Sequence, residues 1–140
     1  MFLLDTNIVS EWTKPRPSPR LSAWLDSQAE SELFLSVITF AELRRGSALL
    51  SPGKKREALT RWIDGALTER FEGRVLAVDR PVCDVWGQLL AQARGRGHAL
   101  SVMDGFVAAT ALAHGLTLVT RNISDFASLD LELVNPFDAP

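Results

Sequence analysis

Four carboxylates carry the strongest chemical signal in this 140-residue chain. Asp5 ends the apolar run Phe2-Leu3-Leu4. Glu42 stands in Thr39-Phe40-Ala41-Glu42, Asp104 in Ser101-Val102-Met103-Asp104, and Asp125 in Asn122-Ile123-Ser124-Asp125. Acids packed together repel one another, and their pKa values rise unless a cation neutralises them. All-oxygen ligands with no nearby cysteine or histidine select Mg2+ or Mn2+ over Zn2+. Such a cation activates water and stabilises charge on phosphorus oxygens, which suits hydrolysis of a phosphodiester. Each acid also has a purely structural reading. Asp5 and Asn7 can turn the chain and cap a helix. The other three follow a Thr, Ser or Asn by three residues, the grammar of a capping box. That box favours Glu or Gln, whose longer side chains reach back better, so Asp104 and Asp125 are short for the task.

The elements that must position these acids alternate between strand and helix. Phe2–Leu4 has no room to be a helix and reads as a buried parallel strand, with Asp5 at its C-terminal end. A short helix is expected from Asn7 to about Trp12 and another from Pro19 to Glu30. A second strand follows over Leu33–Ile38, then a helix from Thr39 to about Leu50. Ser51-Pro52 reads as a cap and first helical residue, opening a helix to about Arg70 with Leu59, Trp62, Ile63, Ala66 and Leu67 on one face. Arg74–Val78, Leu116–Thr120 and Leu131–Val134 are the remaining strands. Helices are expected from Pro81 to about Arg94 and from Ser101 to about His114, with a helical turn from Asn122 to about Ala127. The alternation predicts an α/β fold, a parallel sheet with helices on both faces. Ligands bind such sheets at the strand C-termini. Asp5, Glu42 and Asp125 should converge there, and Asp104 joins them if the Arg94–Leu100 loop returns the chain to that edge.

Length and composition fit one domain, 1–140. Hydrophobic residues make up 46% and charged residues 23%, the balance of a globular core. A net charge of −2 gives no global basic field, so any nucleic-acid binding rests on a local patch. The single cysteine, Cys83, allows no intramolecular disulfide and fits a reducing compartment. Neither a secretory signal nor an apolar run of membrane-spanning length is visible, so a cytoplasmic setting without membrane contact is expected.

The motifs around the acids carry a resemblance that covers essentially the whole chain. Leu4-Asp5-Thr6-Asn7, Thr39-Phe40-Ala41-Glu42-Leu43, Met103-Asp104-Gly105-Phe106-Val107-Ala108-Ala109-Thr110-Ala111 and Thr120-Arg121-Asn122-Ile123-Ser124-Asp125-Phe126 resemble the four motifs of PIN-domain ribonucleases. The match is nearest to the bacterial VapC toxins and, within them, the FitB-like branch. The proline-rich Lys14–Pro19 loop and Asn135-Pro136-Phe137 resemble that branch too. The resemblance implies a PIN-like α/β/α sandwich and a metal-dependent endoribonuclease toxin of a type II toxin–antitoxin system. It implies an acidic Mg2+ or Mn2+ site made by Asp5, Glu42, Asp104 and Asp125. Asp5 and Asp104 would be the direct ligands, while Glu42 and Asp125 complete the shell or position the attacking water. Thr6 and Asn7 would orient the first acid, and Thr120 and Asn122 would hydrogen-bond within the site or to phosphate. It also implies an RNA substrate, a cognate antitoxin that is a small DNA-binding protein, a homodimer and higher toxin–antitoxin assembly, and operator DNA bound only through the antitoxin.

Outside the acids, Lys14 and Arg16 in the proline-rich loop, and Arg94, Arg96 and His98 before the fifth long helix, are candidates for RNA contacts. Arg44 and Arg45 either flank the groove or face water. The four tryptophans sit at core spacing and are expected to pack or make dimer contacts rather than stack on bases. A haloacid-dehalogenase-type phosphatase needs a second Asp at the position of Asn7, and a receiver domain needs a lysine where Arg121 stands; both are disfavoured. The remaining rival is a largely non-catalytic protein-binding subunit of an antitoxin-containing, DNA-binding regulatory complex.

Overall fold

The computed structural model describes residues 1–138; the last two positions of the expected 1–140 span lie outside the described residues. Five parallel strands form one sheet: β1 (Phe2–Leu4), β2 (Leu33–Ser36), β3 (Val75–Leu76), β4 (Thr117–Val119) and β5 (Leu133–Val134), in the order β3-β2-β1-β4-β5. The first strand of the chain is thus the central one. Phe2 and Leu3 pair with Leu33 and Phe34 on one side, and Phe2–Leu4 with Thr117–Val119 on the other. Helices occupy both faces, as the alternation predicts. They are α1 (Thr6–Val9), α2 (Pro19–Asp26), α3 (Val37–Leu49), α4 (Lys54–Trp62), α5 (Thr68–Arg70), α6 (Arg80–Gly95), α7 (Val102–His114) and α8 (Ile123–Phe126).

Because side chains alternate across a strand, adjacent residues feed opposite cores. Leu3 and Leu118 pack with Val107, Ala108, Ala111 and Phe126 on the α6–α7 face. Leu4, Leu35 and Val119 pack with Ile8, Leu21, Leu43, Ile63 and Phe71 on the other. All four tryptophans border these cores, with Phe2–Trp24 edge-on at 5.1 Å and Trp86–Phe106 stacked at 4.9 Å.

Two helix starts differ from the sequence expectation. The helix carrying Glu42 begins at Val37, because the Ser36 hydroxyl caps it by accepting from Ile38 N at 3.1 Å. Thr39 is therefore inside the helix, and Thr39–Glu42 is not a capping box. The helix expected from Pro52 starts at Lys54, with Gly53 at φ 154°, ψ −170° in the N-cap position. Pro-Gly is a strong turn signal, and it overrides the Ser-Pro start. The same helix loosens into a π-helical turn over Ile63–Leu67 before α5. Elsewhere the caps follow the sequence: Ser18, Asp79 and Ser101 accept from Leu21 N, Val82 N and Asp104 N, and Gly115 (φ 65°) closes α7.

The start of α7 is held in place by close packing on α6. A Cβ added at Gly105 would lie 2.6 Å from Leu90 Cδ1 and 2.9 Å from Trp86 Nε1. Trp86 Nε1 also donates to Val102 O at 3.3 Å. Gly105→Ala gains about 1 kcal/mol of helix propensity, but the overpacking costs about 1–3 kcal/mol. The variant is expected to unfold at lower temperature than wild type in a thermal melt, and to displace Asp104, its neighbour.

Candidate active site

Asp5 is the only one of the four acids that is fully buried, with 5% of its surface exposed. It sits where β1 ends, and its N–H extends the ladder by donating to Val119 O at 2.9 Å. It also caps α1: Oδ1 accepts from Thr6 N at 2.8 Å. The capping and site readings of Asp5 therefore coexist. Oδ2 accepts from Thr120 Oγ1 at 2.9 Å and from Asn7 Nδ2 at 3.4 Å. Burial pushes the Asp5 carboxyl up to about 6; the Thr120 and Thr6 hydrogen bonds oppose this, while the charges of Asp104 and Glu42 add to it. Glu42 on α3 and Asp104 on α7 are thus each within electrostatic reach of Asp5 at the end of β1.

Two threonine hydroxyls lock this arrangement. Thr120, fully buried beyond the end of β4, donates to Asp5 and accepts from Asn7 Nδ2 at 3.2 Å and Asn122 N at 3.1 Å. Its hydrogen and both lone pairs are used. Thr6 Oγ1 donates to Glu42 Oε1 at 2.7 Å and lies 3.2 Å from Thr39 Oγ1. The Thr6 hydroxyl also faces Thr39 Oγ1 as a donor, so its single hydrogen is shared between the Glu42 carboxylate and the buried Thr39 hydroxyl. Thr39 is a contributor that sequence reasoning missed, because it was assigned to a helix cap. Asn7 Oδ1 accepts from Arg121 N at 3.2 Å, and Arg121 O accepts from Asn135 Nδ2 at 3.4 Å. Asn7 and Asn135 therefore clamp the turn that carries Thr120 and Asn122. Asn122 takes part through its backbone N–H; it precedes α8 with no side-chain cap bond.

The other expected residues are placed differently. Asp125 is exposed on α8, and its carboxylate is not among the charges acting on Asp5. Its carbonyl lies 3.1 Å from His98 Nε2. Arg96 donates to Ser128 O, so His98 and Arg96 fasten the 96–100 loop to the α8 region. Lys14 pairs with Glu11 at 2.9 Å; the Lys14 hydrogen bond holds the Glu11 carboxyl below its usual range. Arg16 and Arg94 are exposed and have no ion pair among the described residues; Arg94 borders a cavity of about 350 Å³ with His98, Leu90, Ala91 and Leu100.

The chemistry of the donors suits a hard divalent cation: carboxylate and hydroxyl oxygens, with Asp5 desolvated beside two further negative charges. Among the described residues, no three His, Cys, Asp or Glu side chains close into a ready-made ligand set. Mg2+ tolerates this, since it is commonly held by one or two carboxylates with water filling the other positions.

Residues 2–131 match the PIN domain. The FitB toxin of Neisseria gonorrhoeae is 42% identical over 137 residues, spanning 98% of this chain and 99% of the relative. The VapC ribonuclease Y4jK of Sinorhizobium fredii is 39% identical over 138 residues, covering 99% of each chain. A structure of FitAB bound to the IR36 DNA fragment superposes with a TM-score of 0.93 at 39% identity, covering 100% of this chain and 98% of that one.

An acid with a native pKa above its unfolded value stays neutral in the fold at low pH and opposes folding once ionised. The Asp5 cost is absent below about 3.8, grows as the pH rises towards about 6, and is then constant. The gap between those values corresponds to about 3 kcal/mol. In EDTA, the thermal midpoint of wild type relative to Asp5→Asn is expected to fall by several degrees as the pH rises from about 4 to 7.5. A difference between the two proteins that does not change with pH would contradict this.

Proposed function

Because the chain belongs to the PIN-domain family, we propose that it is an endoribonuclease toxin whose acidic site works with Mg2+ or Mn2+. The observation that carries this reading is the buried Asp5 carboxylate, raised to about 6 and faced by the charges of Asp104 and Glu42. Relatives named as a toxin and as a VapC ribonuclease, matched over nearly their whole length, support it.

In this reading Asp5 and Asp104 are the direct cation ligands, and Glu42 and Asp125 complete the shell or position the attacking water. The cation, when bound, lowers the pKa of its water and offsets charge on the phosphate oxygens. The remaining work belongs to the chain itself. The Thr120 hydroxyl and Thr6 N–H fix the orientation of Asp5. The Thr6 hydroxyl occupies Glu42 Oε1, which leaves Oε2 to accept the proton of the attacking water. Thr39 Oγ1 accepts from the same Thr6 hydroxyl and helps fix its position. The whole chain acts as a single PIN domain.

The partner of this protein is a DNA-binding antitoxin, with operator DNA engaged through it. The FitAB relative on its DNA fragment supports this assembly. Homodimerisation and a cytoplasmic setting complete the proposal; among the described residues no helix is long and apolar enough to cross a membrane. The same DNA-bound relative favours a second reading, in which the fold is mainly the protein-binding subunit of a regulatory complex.

Cleavage of labelled RNA by antitoxin-free protein separates the two. Wild type is expected to cut in Mg2+ and not in EDTA, and Asp5→Asn and Asp104→Asn to lose at least about a hundredfold in rate, the scale of several kcal/mol of charge stabilisation. Equal rates in wild type and both variants would remove the metal-site assignment. No cleavage by folded wild type, with antitoxin and operator binding intact, would establish the binding subunit instead.

A further inference from the structure

The two arginines that follow Glu42 on α3 have different surroundings. Arg44 forms an ion pair with Asp64 in the π-helical turn. Arg45 has no ion pair among the described residues. It lines an open cleft of about 480 Å³ together with Thr6, Ala41, Glu42 and Met103. Arg45 lies three residues after Glu42, so the two side chains share a helix face, with Cβ atoms about 5–6 Å apart. They stand side by side with opposite charge, yet they do not pair.

This matters for any polyanion approaching the acids. Glu42 and Asp104 repel phosphate, and several nearby basic groups are engaged elsewhere: Lys14 with Glu11, Arg96 with Ser128 O, Arg44 with Asp64. Arg16 and Arg94 are exposed without an ion pair among the described residues, but they do not line the cleft that holds Glu42. Arg45 shares a cleft with a candidate catalytic acid, Glu42. Its planar fork of donors matches two phosphate oxygens at once. Met103, 40% exposed, lines the same cleft and offers an apolar surface there. We propose that Arg45 binds the RNA phosphate next to the one being cleaved, with Met103 packing against the adjoining ribose or base. The assignment rests on the ribonuclease reading and adds a substrate-binding residue to it.

The test measures binding apart from cleavage. A fluorescein-labelled single-stranded RNA is titrated with Asp5→Asn protein in Mg2+ over a series of KCl concentrations. The same titration is run with Arg45→Gln and, separately, Arg44→Gln added. Arg45→Gln is expected to weaken binding about tenfold, the scale of a charge-assisted hydrogen bond. It should also reduce the slope of log K against log salt by about 0.7, one phosphate contact on a single strand. Arg44→Gln should match its parent in both. In the Asp5-intact protein, Arg45→Gln should raise KM more than it lowers kcat. An affinity and salt slope unchanged by Arg45→Gln, or equal losses from both arginines, would overturn the assignment while RNA cleavage by wild type left the ribonuclease reading standing. A wild type that neither binds nor cuts RNA would overturn both.

Discussion

The structure depends on one costly placement: a carboxylate buried at the end of the central strand. Asp5 follows Leu3 and Leu4, which are fully buried in opposite cores. Each buried leucine contributes about 1.5–3 kcal/mol, so the pair offsets the roughly 3 kcal/mol opposed by an ionised, desolvated Asp5. The strand cannot slide to relieve the acid, because a shift by one residue would exchange the two leucines between faces. Its pairing with both β2 and β4 fixes it further. The carboxylate is held where water is scarce and other negative charges are near.

What surrounds Asp5 follows from that constraint. Its oxygens need donors, and they come from the start of α1 and the end of β4 rather than from a cation side chain. Hydroxyls and amides orient a carboxylate without neutralising it, so its affinity for a cation is preserved. An arginine in the place of Thr120 would have stabilised the fold and quenched the site. Glu42 is treated in the same way, through Thr6 and behind it Thr39.

Much of this was legible in the sequence, because the governing signals are local. An apolar run ended by an acid marks a parallel strand and its C-terminal edge, and five alternations of strand and helix leave few topologies. The misread points are those where two local signals compete. Ser36 and Thr39 are both good caps, and only the pairing of β2 with β3 through Ser36 decides between them. Ser51-Pro52 and Pro52-Gly53 make opposite statements about where α4 starts, and the turn prevails. Charge pairing was less legible still. Nothing in the spacing reveals that Lys14 is held by Glu11, that Arg44 reaches Asp64 twenty residues on, or that the Asp125 charge is not among those acting on Asp5. These depend on side-chain reach across elements, which composition and periodicity do not encode.

The central claim is that the fold keeps Asp5 desolvated and short of positive charge so that a divalent cation can supply it. Carbon-13 NMR titration of the Asp5 carboxyl, with and without Mg2+, tests this directly. The account predicts a midpoint near 6 in the cation-free protein and a marked fall when Mg2+ is added. A midpoint in the ordinary aspartate range, or one that Mg2+ leaves unchanged, would contradict it.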